Sequence, residues 1–239
     1  MFKESKVAES EAPAPRQRAN RVREKRVQSI MDAAEIEFAS NGLSGTSVQS
    51  IADRAGLQKR QVLYFFQSKE GLYKDVIERI FQEWRSLNPV NWDAPPRKVI
   101  SEYIDHLFLQ AKVKPHQNKL IISDMISGGA ASIQIMKDRG SRTIVGNTVA
   151  LLEKYMDDGV MRRTDPLSFL FQIWSAQHFY VAFRPEVSFF LEQDDLNDKD
   201  WQRFLNQTKG FALSYFLEER DDSEVKVKET DGTKPKPCG

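Results

Sequence analysis

Gly56 constrains the fold of this chain more than any other residue. It follows a run whose apolar positions Val48, Ile51, Ala52 and Ala55 recur at helical spacing, and it precedes a second run with Val62, Phe65 and Phe66 at similar spacing. Only a residue at ease in the left-handed region closes a helix so abruptly. The pattern therefore predicts two short helices meeting at a tight turn, with the hydroxyl of Thr46 or Ser47 capping the first. The second helix leaves Lys59, Arg60, Gln61 and Tyr64 outward.

Two short helices joined by a glycine turn, the second rich in Gln, Lys and Arg, form the helix-turn-helix pattern. In the major groove Arg and Lys pair with guanine and Gln with adenine. Gln58, Lys59, Arg60 and Gln61 occupy the early positions that would meet base edges. Thr46, Ser47, Tyr64 and Lys69 join the candidate DNA contacts, with Tyr64 and Lys69 suited to phosphates, which set register without reading sequence. The plainer alternative is a surface helix that is merely basic.

The segment 46–72, TSVQSIADRAGLQKRQVLYFFQSKEGL, resembles the TetR family of one-component repressors, through Thr46, Ile51, Ala52, Ala55, Gly56, Lys59, Phe66, Ser68, Lys69, Glu70 and Leu72. Two departures stand out. Leu63 followed by Tyr64 replaces the family's usual Tyr before the aromatic pair, and Gln67 stands where Pro is usual before Ser-Lys-Glu.

A net charge of +1 over 239 residues argues against nucleic acid until it is mapped. Between Arg16 and Lys69 ten basic residues face five acidic ones, a local net of +5 that leaves −4 on the rest. A basic head on an acidic body fits a chain that meets DNA at one end. The one cysteine, Cys238, rules out a disulfide framework. Without a signal-peptide pattern or an apolar run of about 18 residues, a cytoplasmic protein with no membrane partner is expected. Residues 1–19 read as a flexible basic arm and 220–239 as a solvated tail. The arm's basic end, Arg16 to Arg26, suits either the DNA backbone and minor groove or simple solubility.

From Val22 to Glu219 the spacing is helical and no period-2 strand appears, so the expected fold is all-α. The domain expectation is a three-helix DNA-binding head over 20–67 and a helical ligand-binding and dimerisation body over 68–219. Within it a first helix is expected over about 21–41, stopped by Asn41-Gly42, and one long helix over about 131–158. The helix at 166–192 is apolar around most of its circumference, and that at 198–219 carries a wide stripe including Trp201, Phe204, Phe211 and Tyr215. A helix apolar on all sides must be buried on all sides. Those four residues are therefore candidates for a homodimer interface, against the alternative of a deep core within one chain. The TetR resemblance implies that the last helices of two subunits form a four-helix bundle.

Phe81, Trp84, Trp174, Gln177 and His178 are candidate ligand contacts, because they combine ring faces with directional hydrogen bonds in apolar surroundings. Core filling remains open for the tryptophans, and a satisfied core histidine for His178. The runs 63–73 and 164–180, with Glu83-Trp84, resemble the Rut-type members of that family, which control pyrimidine degradation and sense uracil. The Gln177-His178 pair sits one residue early relative to Trp174, turned about 100° round the helix. That shift means that uracil itself does not carry over, and the expected effector is a pyrimidine or other planar nitrogenous metabolite. The pocket is expected between the helix starting at Ser68 and that starting at Asp165. His106, His116 and His178 lack metal-site spacing, and no nucleophile elbow, P-loop or G-x-G-x-x-G occurs. Neither metal, cofactor nor enzymatic activity is expected. The reading is a ligand-responsive dimeric repressor with a near-palindromic operator; the alternative is a DNA-binding or scaffold protein of the same fold without an effector.

Overall fold

The computed structural model describes residues 15–86 and 90–217. These form eleven helices: α1 (Pro15–Gly45), α2 (Val48–Ala55), α3 (Lys59–Phe66), α4 (Lys69–Ser86), α5 (Pro96–Val113), α6 (Pro115–Ile126), α7 (Ala130–Asp138), α8 (Ser141–Asp157), α9 (Pro166–Ala182), α10 (Arg184–Phe190) and α11 (Asp198–Leu213). The only strand-like pairing among them is an isolated bridge between Met161 and Phe216. The all-α expectation holds.

Several helix boundaries differ from the sequence reading, among them the end of the helix expected over 198–219, which stops at Leu213. Helix α1 begins at Pro15, so residues 15–19 of the expected arm are helical, while residues 1–14 and the tail at 220–239 lie outside the described residues. Gly42 breaks α1 with φ 67°, where Asn41-Gly42 was expected to stop it. The long helix expected over 131–158 is two, α7 and α8, parted at Gly140 with φ 63°. The helix expected over 166–192 also divides, at Phe183. Pro185 lacks the N–H that a continuing helix needs and instead occupies the first turn of α10.

The chain divides into two compact units: residues up to 88 with 109–141 and 178–195, and residues 89–108, 142–177 and from 196 onward. In the first, α1 packs against α2, α4 and α6, α2 against α3, and α7 against α4 and α6. Ile30, Ala34, Phe38, Ile51, Leu72, Val76, Ile77 and Leu120 form its dry centre. The Phe38 and Tyr73 rings meet edge to face at 4.9 Å. The Tyr73 hydroxyl donates to Asp124 Oδ1 at 3.0 Å, and Asp124 Oδ2 accepts from the Ser132 backbone at 2.9 Å. Burial and the Asp124 carboxylate push the Tyr73 hydroxyl far above its ordinary pKa, so it stays a proton donor. These bonds tie α4, α6 and α7 through groups that would be costly to bury unpaired.

The second unit buries Ile100, Ile104 and Phe108 of α5, Leu152 of α8, Phe169, Leu170 and Ile173 of α9, and Trp201, Phe204 and Ala212 of α11. Edge-to-face pairs join Phe108 to Trp201, Tyr155 to Phe216, and Phe169 to Tyr215. Backbone bonds from Arg162 N to Tyr215 O (2.7 Å) and Leu217 N to Val160 O (2.9 Å) fasten the segment after α8 to the end of α11.

Candidate nucleic-acid interface and effector residues

The helix-turn-helix is built by local capping. Ser47 caps α2, its Oγ accepting from Ser50 N at 2.9 Å. Gly56 ends α2 with φ 66°, which a β-carbon would strain. Gln58 stands at the cap position just before α3, and its N–H donates to Gln61 Oε1 at 2.9 Å. Val62 is buried and Phe65 and Phe66 are half-buried, which fixes the inward face. Gln58, Lys59 and Arg60 are exposed, and Tyr64 is 79% exposed. Arg23 of α1 lies over the Phe65 ring at 5.8 Å and braces the far end of α3.

Thr46 is a correction. It is buried, and its hydroxyl donates to the carbonyls of Gly42 (2.7 Å) and Glu37 (3.1 Å), so it holds the turn between α1 and α2 and cannot meet DNA. Ser47, next to it, is exposed. Gln61 is half-exposed with its carbonyl oxygen already engaged as a cap, which leaves its amide N–H groups as the free edge. Lys69 donates from Nζ to the Thr46 carbonyl at 2.9 Å and joins the start of α4 to the entrance of α2. Arg54, counted among the basic residues, is spent on Glu37 at 2.7 Å.

Gln67, where the family pattern has Pro, closes α3 with φ 56° and ψ −40°, an uncommon conformation for a residue with a β-carbon. The Ser68 N–H turns back to the Phe66 carbonyl at 2.5 Å, a tight three-residue turn. Ser68 then caps α4, its Oγ accepting from Gly71 N at 3.0 Å.

The five candidate effector residues fall in two units. In the first, Phe81 and Trp84 meet edge to face at 5.7 Å, and the Trp84 indole N–H donates to Gln117 Oε1 at 3.2 Å. Gln117, a buried residue without a sequence signal, donates to Glu83 at 2.9 Å. Arg79 links this α4 cluster to α1 through Asp32 and Glu35, each at 2.7 Å. His178, also in this unit, is held below its ordinary pKa by desolvation and is neutral at pH 7.

In the second unit, Trp174 donates from its indole N–H to the Tyr103 hydroxyl at 2.6 Å. Phe171 lies against Trp174, and Trp92 against Tyr103. Burial raises the Tyr103 hydroxyl to about 12, opposed by the bond from Trp174. Gln177 is buried. Tyr103 escapes a sequence reading because it sits inside the apolar stripe of α5 and looks like core.

The dimer candidates separate. Trp201 (5% exposed) and Phe204 lie inside the protomer, Trp201 against Phe108, and are corrected to core residues. Phe211 is 44% exposed and Tyr215 half-buried, packed on Phe169 and Phe211. On α9, Leu167 (41%) and Phe171 (52%) are exposed, on one of the two last helices that the sequence reading expects to meet a partner.

Among the described residues no three His, Cys, Asp or Glu side chains form a metal-binding group. No described helix is long and apolar enough to cross a membrane.

The model of the tetR family of bacterial regulatory proteins matches residues 30–76, and that of the C-terminal region of YcdC-like proteins matches residues 74–215. The HTH-type transcriptional regulator RutR of Escherichia coli K12 is 29% identical over 161 residues, 67% of this chain and 76% of its own length. The HTH-type transcriptional repressor NicS of Pseudomonas putida KT2440 is 25% identical over 201 residues, 80% of this chain and 91% of its own. The crystal structure of SCO4942 from Streptomyces coelicolor superposes with a TM-score of 0.63 at 22% identity, over 80% of this chain and 98% of that one, a likeness of fold.

Proposed function

This chain belongs to the tetR family of bacterial regulatory proteins and is a DNA-binding transcriptional regulator, and we propose that it acts as a homodimeric, ligand-responsive repressor reading its operator through residues 58–64. Family members bind DNA operators, form dimers and bind small-molecule effectors. The observation that carries the reading is α3 itself: a short capped helix, anchored by Val62, that presents Gln58, Lys59, Arg60 and Tyr64 to solvent.

Arg60 and Lys59 are assigned to base edges, and Ser47, Tyr64 and Lys69 to phosphates. Dimerisation is assigned to Phe171 and Leu167 of α9 with Phe211 of α11 and the half-buried Tyr215 just after it, apolar surface that one protomer leaves wholly or partly in water. Two recognition helices about a two-fold axis require a near-palindromic operator with half-sites about 34–36 Å apart or a multiple of that. The test is selection of operator sequences from random DNA by wild type and Arg60→Ala. A palindromic consensus that relaxes at one base pair per half-site in the variant is expected; an unchanged consensus sinks the assignment.

The effector is assigned as a planar nitrogenous metabolite, stacking near Trp174 and exchanging hydrogen bonds with Tyr103 and Gln177. A second reading, constitutive DNA binding without an effector, is favoured by the fact that both candidate tryptophans already donate within the protein, to Gln117 and Tyr103. A thermal-shift screen of pyrimidines and purines separates them, since a ligand of the native state raises stability as RT ln(1 + [L]/Kd). Trp174→Phe keeps an aromatic face, though a smaller one, and removes the donor. It should lose ligand response and keep operator binding.

A further inference from the structure

Away from the helix-turn-helix and the Trp174–Tyr103 pair, the second unit holds an open cavity of about 580 Å³ where the first turn of α5, the segment after α8 and the end of α11 converge. Its walls include Arg97, Arg162, Gly210, Leu213, Phe216 and Leu217. Among the described residues that line it are two arginines and no Asp or Glu. Neither arginine has a carboxylate partner among the described residues, although 29% of the chain is charged.

The two arginines are held differently. Arg97 donates through Nη1 to the carbonyls of Leu213 (3.4 Å) and Phe216 (3.3 Å), closing the end of α11. That leaves its Nε–Nη2 edge, two parallel N–H donors, without a partner among the described residues. This edge matches a carboxylate in bidentate geometry. Arg162 is positioned through its backbone, whose N–H donates to Tyr215 O at 2.7 Å, while its side chain has no hydrogen-bond partner among the described residues. Gly210 adds no side chain, and a β-carbon there would meet nothing within 4 Å, so the wall is open beside the charges. Leu213, Phe216 and Leu217 supply an apolar floor. A volume of this size lies in the range of about 300–1,000 Å³ typical of small-molecule sites.

We propose that this cavity is a binding site for a small organic carboxylate, held by the free edge of Arg97 and by Arg162, with its carbon skeleton on Leu213 and Phe216. The site is separate from the effector residues assigned above and does not depend on them.

The test uses the full chain with succinate, benzoate and inorganic phosphate as probes at constant ionic strength, followed by thermal shift and titration calorimetry. Saturable binding of succinate or benzoate is expected. Arg162→Gln should weaken it about tenfold or more, the loss of one charge-assisted contact, while the melting temperature without ligand stays at the wild-type value. Arg97→Lys keeps the charge, loses the fork and should weaken binding likewise. A response that sodium chloride reproduces, or one unchanged in Arg162→Gln, overturns the proposal. So does saturable binding of phosphate alone. Binding that appears only after Glu218 and Glu219 are both replaced by Gln would also overturn it, because the chain's own acidic continuation would then be the occupant.

Discussion

Helices α3 and α9 each place side chains in water, and they do so with opposite chemistry. Helix α3 buries Val62 and exposes Lys59, Arg60 and Tyr64; α9 buries Phe169, Leu170 and Ile173 and still exposes Leu167 and Phe171. A solvated Lys or Arg costs nothing to leave outside, whereas apolar area in water forgoes about 25 cal/mol per Å². The exposed face of α9 therefore suits the apolar partner proposed above, and that of α3 the proposed polyanion. The same contrast holds within α11, where Trp201 is enclosed and Phe211 is not.

The contrast breaks most visibly if enclosed and exposed aromatics behave alike. Trp201→Ala should lower stability by about 3–5 kcal/mol, read by denaturant unfolding, because it opens a cavity against Phe108. Phe171→Glu should leave the melting temperature of the protomer nearly unchanged and shift sedimentation toward monomer, by about 2–4 kcal/mol of association. If Phe171→Glu unfolds the protein while Trp201→Ala leaves it stable but monomeric, the two faces have been exchanged.

The polar side sharpens by separating reading from holding. Arg60→Ala should cost about 1–3 kcal/mol at the operator and relax base preference, measured by fluorescence anisotropy on operator variants. Lys69→Ala should weaken all sequences alike and reduce the salt slope by about one. The smallest effect concerns protons. Desolvation holds His106 and His178 below their ordinary pKa. Unfolding then takes up protons, so stability rises with pH below about 6.5 and is lost as pH falls, by at most about 1.4 kcal/mol per pH unit per histidine. His106→Gln should shallow the fall in melting temperature between pH 7 and pH 5; an unchanged slope removes His106 from the account.

Much of the head was legible because its signals are local. Ser47, Gly56, Ser68 and the Asn41-Gly42 break act within a few residues of themselves, and each does in three dimensions what its chemistry predicts. Thr46 misled because a hydroxyl beside a turn serves a buried carbonyl or a phosphate equally well. In the body, apolar periodicity ran on across Gly140 and Pro185 and concealed two helix ends. Periodicity also cannot say which side of an apolar helix faces its own core, so Trp201 and Phe204 were grouped with Phe211 and Tyr215. Tyr103 and Gln117, partners of the two tryptophans, come from helices distant in sequence, and no local pattern announces them.

The bond from Lys69 to the Thr46 carbonyl bears on the entropy of recognition. A free lysine that seizes a phosphate must surrender its rotameric freedom at that moment, a loss of about 0.5–1.5 kcal/mol for a long side chain. Lys69 has surrendered it already, on folding, and its ammonium keeps two further hydrogens to give. A phosphate arriving there would meet a cation whose position was settled before any DNA approached, and the cost of holding it would fall on the stability of the fold and not on the affinity for the operator.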